Sequence, residues 1–304
     1  MKSTAPGIRI RRRKRLLGLA TLGLAVLAWA WLRPSPVPFS AVKGLPVRVI
    51  LTPPHFREIG DPASDFEVSP DGSVLVLAKG AVLATRHERG GRVSVVRLVN
   101  DPIPGLKSLA IDPEGALVTL SREGLKQVHT SDRSVVSLAS IPGIDSHTHL
   151  SQSSVHGRVY LYGGDSDENG FRSKIVSISS DGRTEEVVKA SSAITAVCDA
   201  RGTLYFSTDN EIFALRQNEL RLVIRVPAAS RIISLAAEPE GEVVFFSTAD
   251  NIYVLRGLGP AVEMVKGLGG TLRFRNGALY AFDAPRRVLV RLGSPNGEST
   301  VPSI

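Results

Sequence analysis

The sequence predicts an all-β protein, a six-bladed β-propeller behind an N-terminal single transmembrane helix. Three observations carry the prediction. Ile232 to Val265 (IISLAAEPEGEVVFFSTADNIYVLRGLGPAVEMV) reads as four short runs rich in Val, Ile, Phe and Tyr, each closed by Gly, Pro, Asp or Asn. That is the pattern of a four-stranded antiparallel meander. One meander is too small to bury its own face, and copies recur along the chain. The glycines that follow the first strand of each copy are Gly72, Gly115, Gly157, Gly202, Gly241 and Gly277, spaced 43, 42, 45, 39 and 36 residues apart. A period of about 40 residues with four strands per unit marks a propeller, and six glycines give six blades. No part of Leu45 to Leu292 keeps a 3.6-residue apolar period, which sets aside a helical-repeat solenoid.

Residues 1–15 form a basic tail. Eight of the 37 Lys and Arg residues lie in residues 1–33 with no acid among them, which leaves 29 basic against 29 acidic residues for the remainder. The pI of 9.9 therefore describes the tail. The formally neutral remainder lacks the one-sided positive charge that binds phosphate backbones, so no nucleic acid is expected as a partner.

Leu16 to Leu32 (LLGLATLGLAVLAWAWL) carries no charge, and as a helix it would span about 25 Å, the lower limit for a bilayer. Six basic residues stand just before it, and Trp29 and Trp31 near its end. The positive-inside rule places the amino terminus in the cytoplasm and the propeller in the periplasm, tethered to a bacterial inner membrane. Ala28-Trp29-Ala30 also fits a signal-peptide cleavage site. A twin-arginine signal fits less well, because Arg15 stands where that motif takes a large apolar residue. Residues 33–46 (RPSPVPFSAVKGLP) make a Pro-rich, semi-rigid linker.

Residues 47–293 make the propeller. The last copy, GTLRFRNGALYAFDAPRRVLVRL, has only three strands, and Val47 to Leu51 (VRVIL) is a strand-like run with no other place. It is expected to close the ring as the outer strand of the last blade, leaving no unpaired edge there. Residues 294–304 form a polar tail. Cys198 is the only cysteine, so no disulfide forms within the chain. It reads as a small core residue of the inner-strand run AVCDA.

Two stretches could carry chemistry. Asp165, Asp167 and Asn169 in DSDENG match the first half of a calcium loop, in which alternate oxygens converge on a hard cation. Position twelve, where such a loop takes a bidentate Glu, is Val176. The other reading is a solvated acidic turn. His147 and His149, with Asp145, form a His-x-His pair of the kind that binds zinc from one side of a strand, or else are surface polar residues. A metal would lie between these two stretches, which belong to one blade. No G-x-S-x-G, P-loop or dinucleotide-binding glycine motif occurs, and no cofactor is expected.

The units Gly-x-LYFSTDN-x-IFAL and Gly-x-VVFFSTADN-IYVL resemble NHL-repeat and related six-bladed propellers, a group that includes the gluconolactonase and strictosidine-synthase-like proteins. The lactonase branch implies a divalent metal in the channel, held by an acidic residue near the first blade and by Asn or Asp further on. The Glu-Gly-Pro segment of that branch is absent, and the chain reads IGDPASDFEVS there. The layout of basic tail, anchor, spacer and neutral propeller resembles an accessory subunit of a bacterial membrane complex such as the photosynthetic reaction-centre–light-harvesting assembly. The expectation from sequence is therefore a non-enzymatic docking subunit whose partners are membrane-protein subunits and, through Leu16 to Leu32, the bilayer. A metal-dependent lactonase-like hydrolase is the alternative, and a periplasmic ligand-binding propeller is the third reading.

Overall fold

The computed structural model describes residues 39–59, 63–87, 93–99, 102–112, 115–129, 131–141, 148–152, 158–167, 170–239, 243–257 and 259–293. These residues belong to one unit within Pro38–Ile304. The chain starts with β1 (Ser40–Ala41), β2 (Val47–Leu51) and the helix α1 (Pro53–Ile59). Blade 1 is β3 (Ala63–Val68), β4 (Val74–Ala78), β5 (Ala81–His87) and β6 (Val93–Arg97), and blade 2 is β7 (Ser108–Ile111), β8 (Leu117–Ser121), β9 (Gly124–Val128) and β10 (Val135–Ala139). Blade 3 is β11 (His149–Gln152), β12 (Val159–Asp167), β13 (Gly170–Ile178) and β14 (Thr184–Ala190), and blade 4 is β15 (Ile194–Ala200), β16 (Thr203–Thr208), β17 (Glu211–Arg216) and β18 (Glu219–Arg225). Blade 5 is β19 (Ser234–Ala237), β20 (Val243–Ser247), β21 (Asn251–Arg256) and β22 (Val262–Lys266), and blade 6 is β23 (Thr271–Arg275), β24 (Ala278–Asp283) and β25 (Val288–Leu292). Each sheet is an antiparallel meander, and each inner strand meets the inner strand of the next blade round to β23 against β3, which makes six blades in a ring.

The ring closes as the sequence predicts. β2 pairs antiparallel with β25, with Val47 opposite Leu292 and Val49 opposite Val290, and so supplies the fourth strand of blade 6. The segment before it adds a second clasp. Ser40 and Ala41, inside the predicted linker, lie opposite Lys266 and Val265 as a fifth strand on blade 5. Leu16 to Leu32 lies outside the described residues. Among the described residues no helix is long and apolar enough to cross a membrane.

Helix α1 was not read from the sequence. Thr52 stands before Pro53 and Pro54 at its start, where proline's fixed φ suits the first turn. The Thr52 carbonyl accepts from Phe56 N at 3.3 Å, and the His55 ring folds back onto Thr52. The helix buries Phe56 against Phe282 of blade 6, with ring centroids 5.4 Å apart, and Phe282 in turn meets Phe66 of blade 1. This aromatic cluster seals the seam between the last blade and the first.

The core lies between blades, each cluster joining the facing sides of two neighbours. Second strands are sandwiched on both sides, so β4 (VLVLA) is apolar throughout and β20 (VVFFS) apolar up to its last residue, instead of alternating. Outer strands such as β10 are largely exposed. The turn glycines Gly72, Gly115, Gly202 and Gly277 all have positive φ, between 67° and 85°, a conformation that a Cβ disfavours. Gly157 and Gly241 lie outside the described residues.

Candidate functional site at the channel mouth

The register fixes which loops share a face. Ser234 lies opposite Ser247, so the approach to β19 and the turn after β20 emerge on one side of the ring. Ile194 opposite Thr208 does the same in blade 4, and His149 opposite Tyr162 in blade 3. On this face a depression of about 700 Å³ opens, walled by His149, by Ala193 to Thr195, by Ala229 to Ile233 and by Thr248 to Asn251. That volume falls in the ordinary range for small-molecule sites.

The mouth mixes apolar wall with a few polar groups. His149 is exposed, its ring tilted over Tyr162 with centroids 5.8 Å apart. Burial pushes the Tyr162 phenol up to about 12, so it stays neutral at ordinary pH. Thr195 Oγ1 lies 2.8 Å from Ser207 Oγ. Arg231 stands on the rim, 3.8 Å from Asp209 Oδ1 and two-thirds exposed. Arg286 donates to Asp250 at 2.9 Å and also pairs with Asp283, which fixes the blade 5 turn against blade 6. The Asn251 amide donates to Tyr253 Oη and Glu263 and accepts from Gly267 N.

Three charges meet where the inner strands of the first and last blades adjoin. Asp65 and Glu67 project from β3, and Arg273 from β23 reaches them across the seam. Arg273 Nη2 donates to Asp65 Oδ1 and Nε to Glu67 Oε2, both at 3.1 Å, while Nη1 donates to its neighbour's carbonyl, Leu272 O, at 2.9 Å. The remaining carboxylate oxygens are also engaged. Asp65 Oδ2 accepts from Ser108 Oγ at 2.8 Å and Leu109 N at 3.0 Å, and Glu67 Oε1 from Val68 N at 2.9 Å. A void of about 40 Å³ adjoins Arg273, lined also by Ser151 of blade 3, Cys198 and Asp199 of blade 4, Leu235 to Ala237 of blade 5, and Leu272 and Phe274, so Arg273 borders a space shared with three other blades.

Polar inner-strand side chains stitch blades in the same way elsewhere. Ser108 Oγ accepts from Leu150 N of blade 3 at 3.1 Å, and Ser234 Oγ from Leu272 N of blade 6 at 3.0 Å. Burial raises the Cys198 thiol well above its ordinary range, which makes it an inert core residue as expected from sequence.

Burial also raises Glu67, with Arg273 pulling the other way. A carboxyl raised on folding holds its proton more tightly in the native state than in the unfolded chain. Its contribution is full below the ordinary Glu value of 4.5 and is lost as pH rises through the higher folded value. We therefore expect unfolding midpoints to fall as pH rises through that window, and the slope to flatten in Glu67→Gln. Thermal unfolding across pH reads this directly.

The residues singled out from sequence are placed as follows. His149 is the first residue of β11 and lines the mouth. Asp165 and Asp167 belong to β12, with Asp165 opposite Arg172 and Asp167 opposite Gly170. Asp165 and Asp167 thus stand near the end of a pair of long strands. His147 and Asn169 lie outside the described residues. Among the described residues no group of three or more His, Cys, Asp or Glu side chains is arranged to hold a metal ion. Asp65, Glu67 and Arg273 were not read as a site. Their signal was charge at alternate positions of an inner strand, in SDFEV of the first copy and TLRFR of the last.

No family model matches the chain, and no curated protein matches it in sequence. Its fold is that of known six-bladed propellers. The chain is similar to a gluconolactonase from Xanthomonas campestris, with a TM-score of 0.58 and 15% identity over 86% of this chain and 98% of that one. It is also similar to virginiamycin B lyase from Staphylococcus aureus, with a TM-score of 0.57 and 12% identity over 82% and 99%. The calcium-binding protein regucalcin from Agrobacterium tumefaciens gives 0.58 and 12% over 76% and 89%. At these identities the likeness shows the fold. It also corrects the expectation of a non-enzymatic protein: that expectation rested on the anchored layout, the formal neutrality and the want of a convergent catalytic set, and propellers of this build include a lactonase and a lyase.

The channel metal implied by the lactonase resemblance does not fit these residues. Asp65 and Glu67 are the acidic groups of the first inner strand, and all four of their oxygens face N–H or O–H donors. A calcium ion takes six to eight oxygen ligands, and here a guanidinium stands among the carboxylates instead.

Proposed function

We propose that the chain is an enzyme that opens a small cyclic ester at the mouth formed by blades 3 to 5. The observation that carries this reading is the depression of about 700 Å³, in which His149, Arg231, Thr195 and Asp250 line one space beside the channel. The kinship in fold with a gluconolactonase and a lyase supports it.

The chemistry falls to the chain's own side chains. Imidazole is the side chain that exchanges protons near neutral pH, so His149 takes a proton from water as its oxygen adds to the ester carbonyl. The ring C–O bond then breaks, and the same proton passes to the departing alkoxide. Arg231, a fixed cation on the rim, offsets the charge of the carboxylate product. Thr195 and Ser230 are the hydroxyls in reach of the substrate's own hydroxyl groups.

Purified protein assayed against a panel of lactones should release acid. His149→Ala should lower kcat/KM by about 100-fold or more, the usual worth of a general base, with an unchanged unfolding midpoint. Failure to open any cyclic ester, or full activity in His149→Ala, would remove this reading. We also propose that Leu16 to Leu32 tethers the propeller outside a bacterial inner membrane, on the strength of its charge-free run and the six basic residues before it. The docking-subunit reading gives way to the enzymatic one, since no feature of the described residues favours a membrane-complex partner.

A further inference from the structure

We propose that the Arg273 guanidinium is this propeller's permanent internal cation, standing where a divalent ion would sit between Asp65 and Glu67, and that removing it creates a divalent-cation site. Two carboxylates at alternate positions of one inner strand, 7% and 1% exposed, require a positive neighbour, because buried like charges repel and an unpaired buried carboxylate is costly. The fold meets that need from within. Arg273 is tied to both carboxylates and to Leu272 O, so each of its three nitrogens is engaged.

The space around it agrees. The void beside Arg273 is about 40 Å³, room for a water molecule but not for a divalent ion with its shell of ligands. Truncation of Arg273 would enlarge that void and leave Asp65 Oδ1 and Glu67 Oε2 without their partner. Ser151 and Asp199 line the same void. These two would add oxygen groups of the type that calcium takes to the freed carboxylates, while Cys198, Leu235 to Ala237, Leu272 and Phe274 form the rest of the wall.

The test uses metal content and thermal unfolding, so it succeeds or fails independently of the esterolytic reading. Wild-type protein dialysed against EDTA should carry no divalent metal, and its midpoint should not move with chelator or with millimolar CaCl2. Arg273→Ala should unfold at a lower temperature, and CaCl2 should raise its midpoint toward that of the wild type. The same variant carrying Asp65→Asn and Glu67→Gln should lose the calcium response. Metal retained one-to-one by the wild type, a midpoint lowered by EDTA, or a folded Arg273→Ala blind to calcium would each overturn the proposal. If Arg273→Ala does not fold, Arg273→Lys decides with the wild type. It keeps a cation and should stay blind to calcium, and a calcium-raised midpoint in either protein refutes the inference.

Discussion

Deletion of residues 39–51 should abolish the folded monomer. The deletion removes the fifth strand of blade 5 and the fourth strand of blade 6 together. It takes away Leu51, fully buried, and Ile50, 7% exposed, from the cluster that seals the first blade to the last. It also bares the N–H and C=O groups of β25, and an unpaired flat edge is a template for association with another chain. The expected result is aggregated protein, or protein with no cooperative unfolding transition. Adding a synthetic peptide of residues 39–59, which carries both strands and helix α1, should restore part of the monomer on gel filtration. A deletion variant that elutes as a monomer and unfolds within a few degrees of the full chain would show that the ring holds without its clasp.

The second large effect is expected at Arg273→Leu. Removing one member of a buried charge cluster leaves the others without compensation and costs about 3–5 kcal/mol. The loss should exceed that of Asp65→Asn or Glu67→Gln, since Arg273 answers both carboxylates. Replacing all three residues together, as Asp65→Asn, Glu67→Gln and Arg273→Leu, should recover much of the stability, because a neutral group of similar volume no longer needs a counter-charge. Denaturant unfolding of the three single variants and the triple one measures this. Equal small losses in every variant would mean that the cluster contributes little to closure.

The ring was legible because a propeller repeats. Period, turn glycines and the missing strand of the last copy fixed six blades and the place of Val47 to Leu51. Two local elements escaped. Ser40 and Ala41 form a two-residue strand without β-branched side chains, and only the edge of β22 makes them one. Helix α1 is seven residues long, too short for an apolar period to show.

The site was less legible, for a different reason. Arg273 lies more than 200 positions from Asp65 and Glu67 and meets them only because the first and last blades adjoin. Read strand by strand, each is one more charge in a β segment. His149 was legible as half of the His-x-His pair. Thr195 of β15, Arg231 and Asp250, which face the same depression, come from three separate segments of blades 4 and 5. Nothing in their spacing joins them until the topology is known.

Catalysis at the mouth of blades 3 to 5, with an internal guanidinium rather than a bound ion between Asp65 and Glu67, is the central claim. The measurement that tests it most directly is the rate of lactone opening by the full chain before and after exhaustive treatment with EDTA. The account predicts the same rate in both, and a rate that falls in His149→Ala. A rate abolished by EDTA and restored by calcium would contradict it, and would move attention to a cation held elsewhere on the face that carries Asp165, Asp167 and His149.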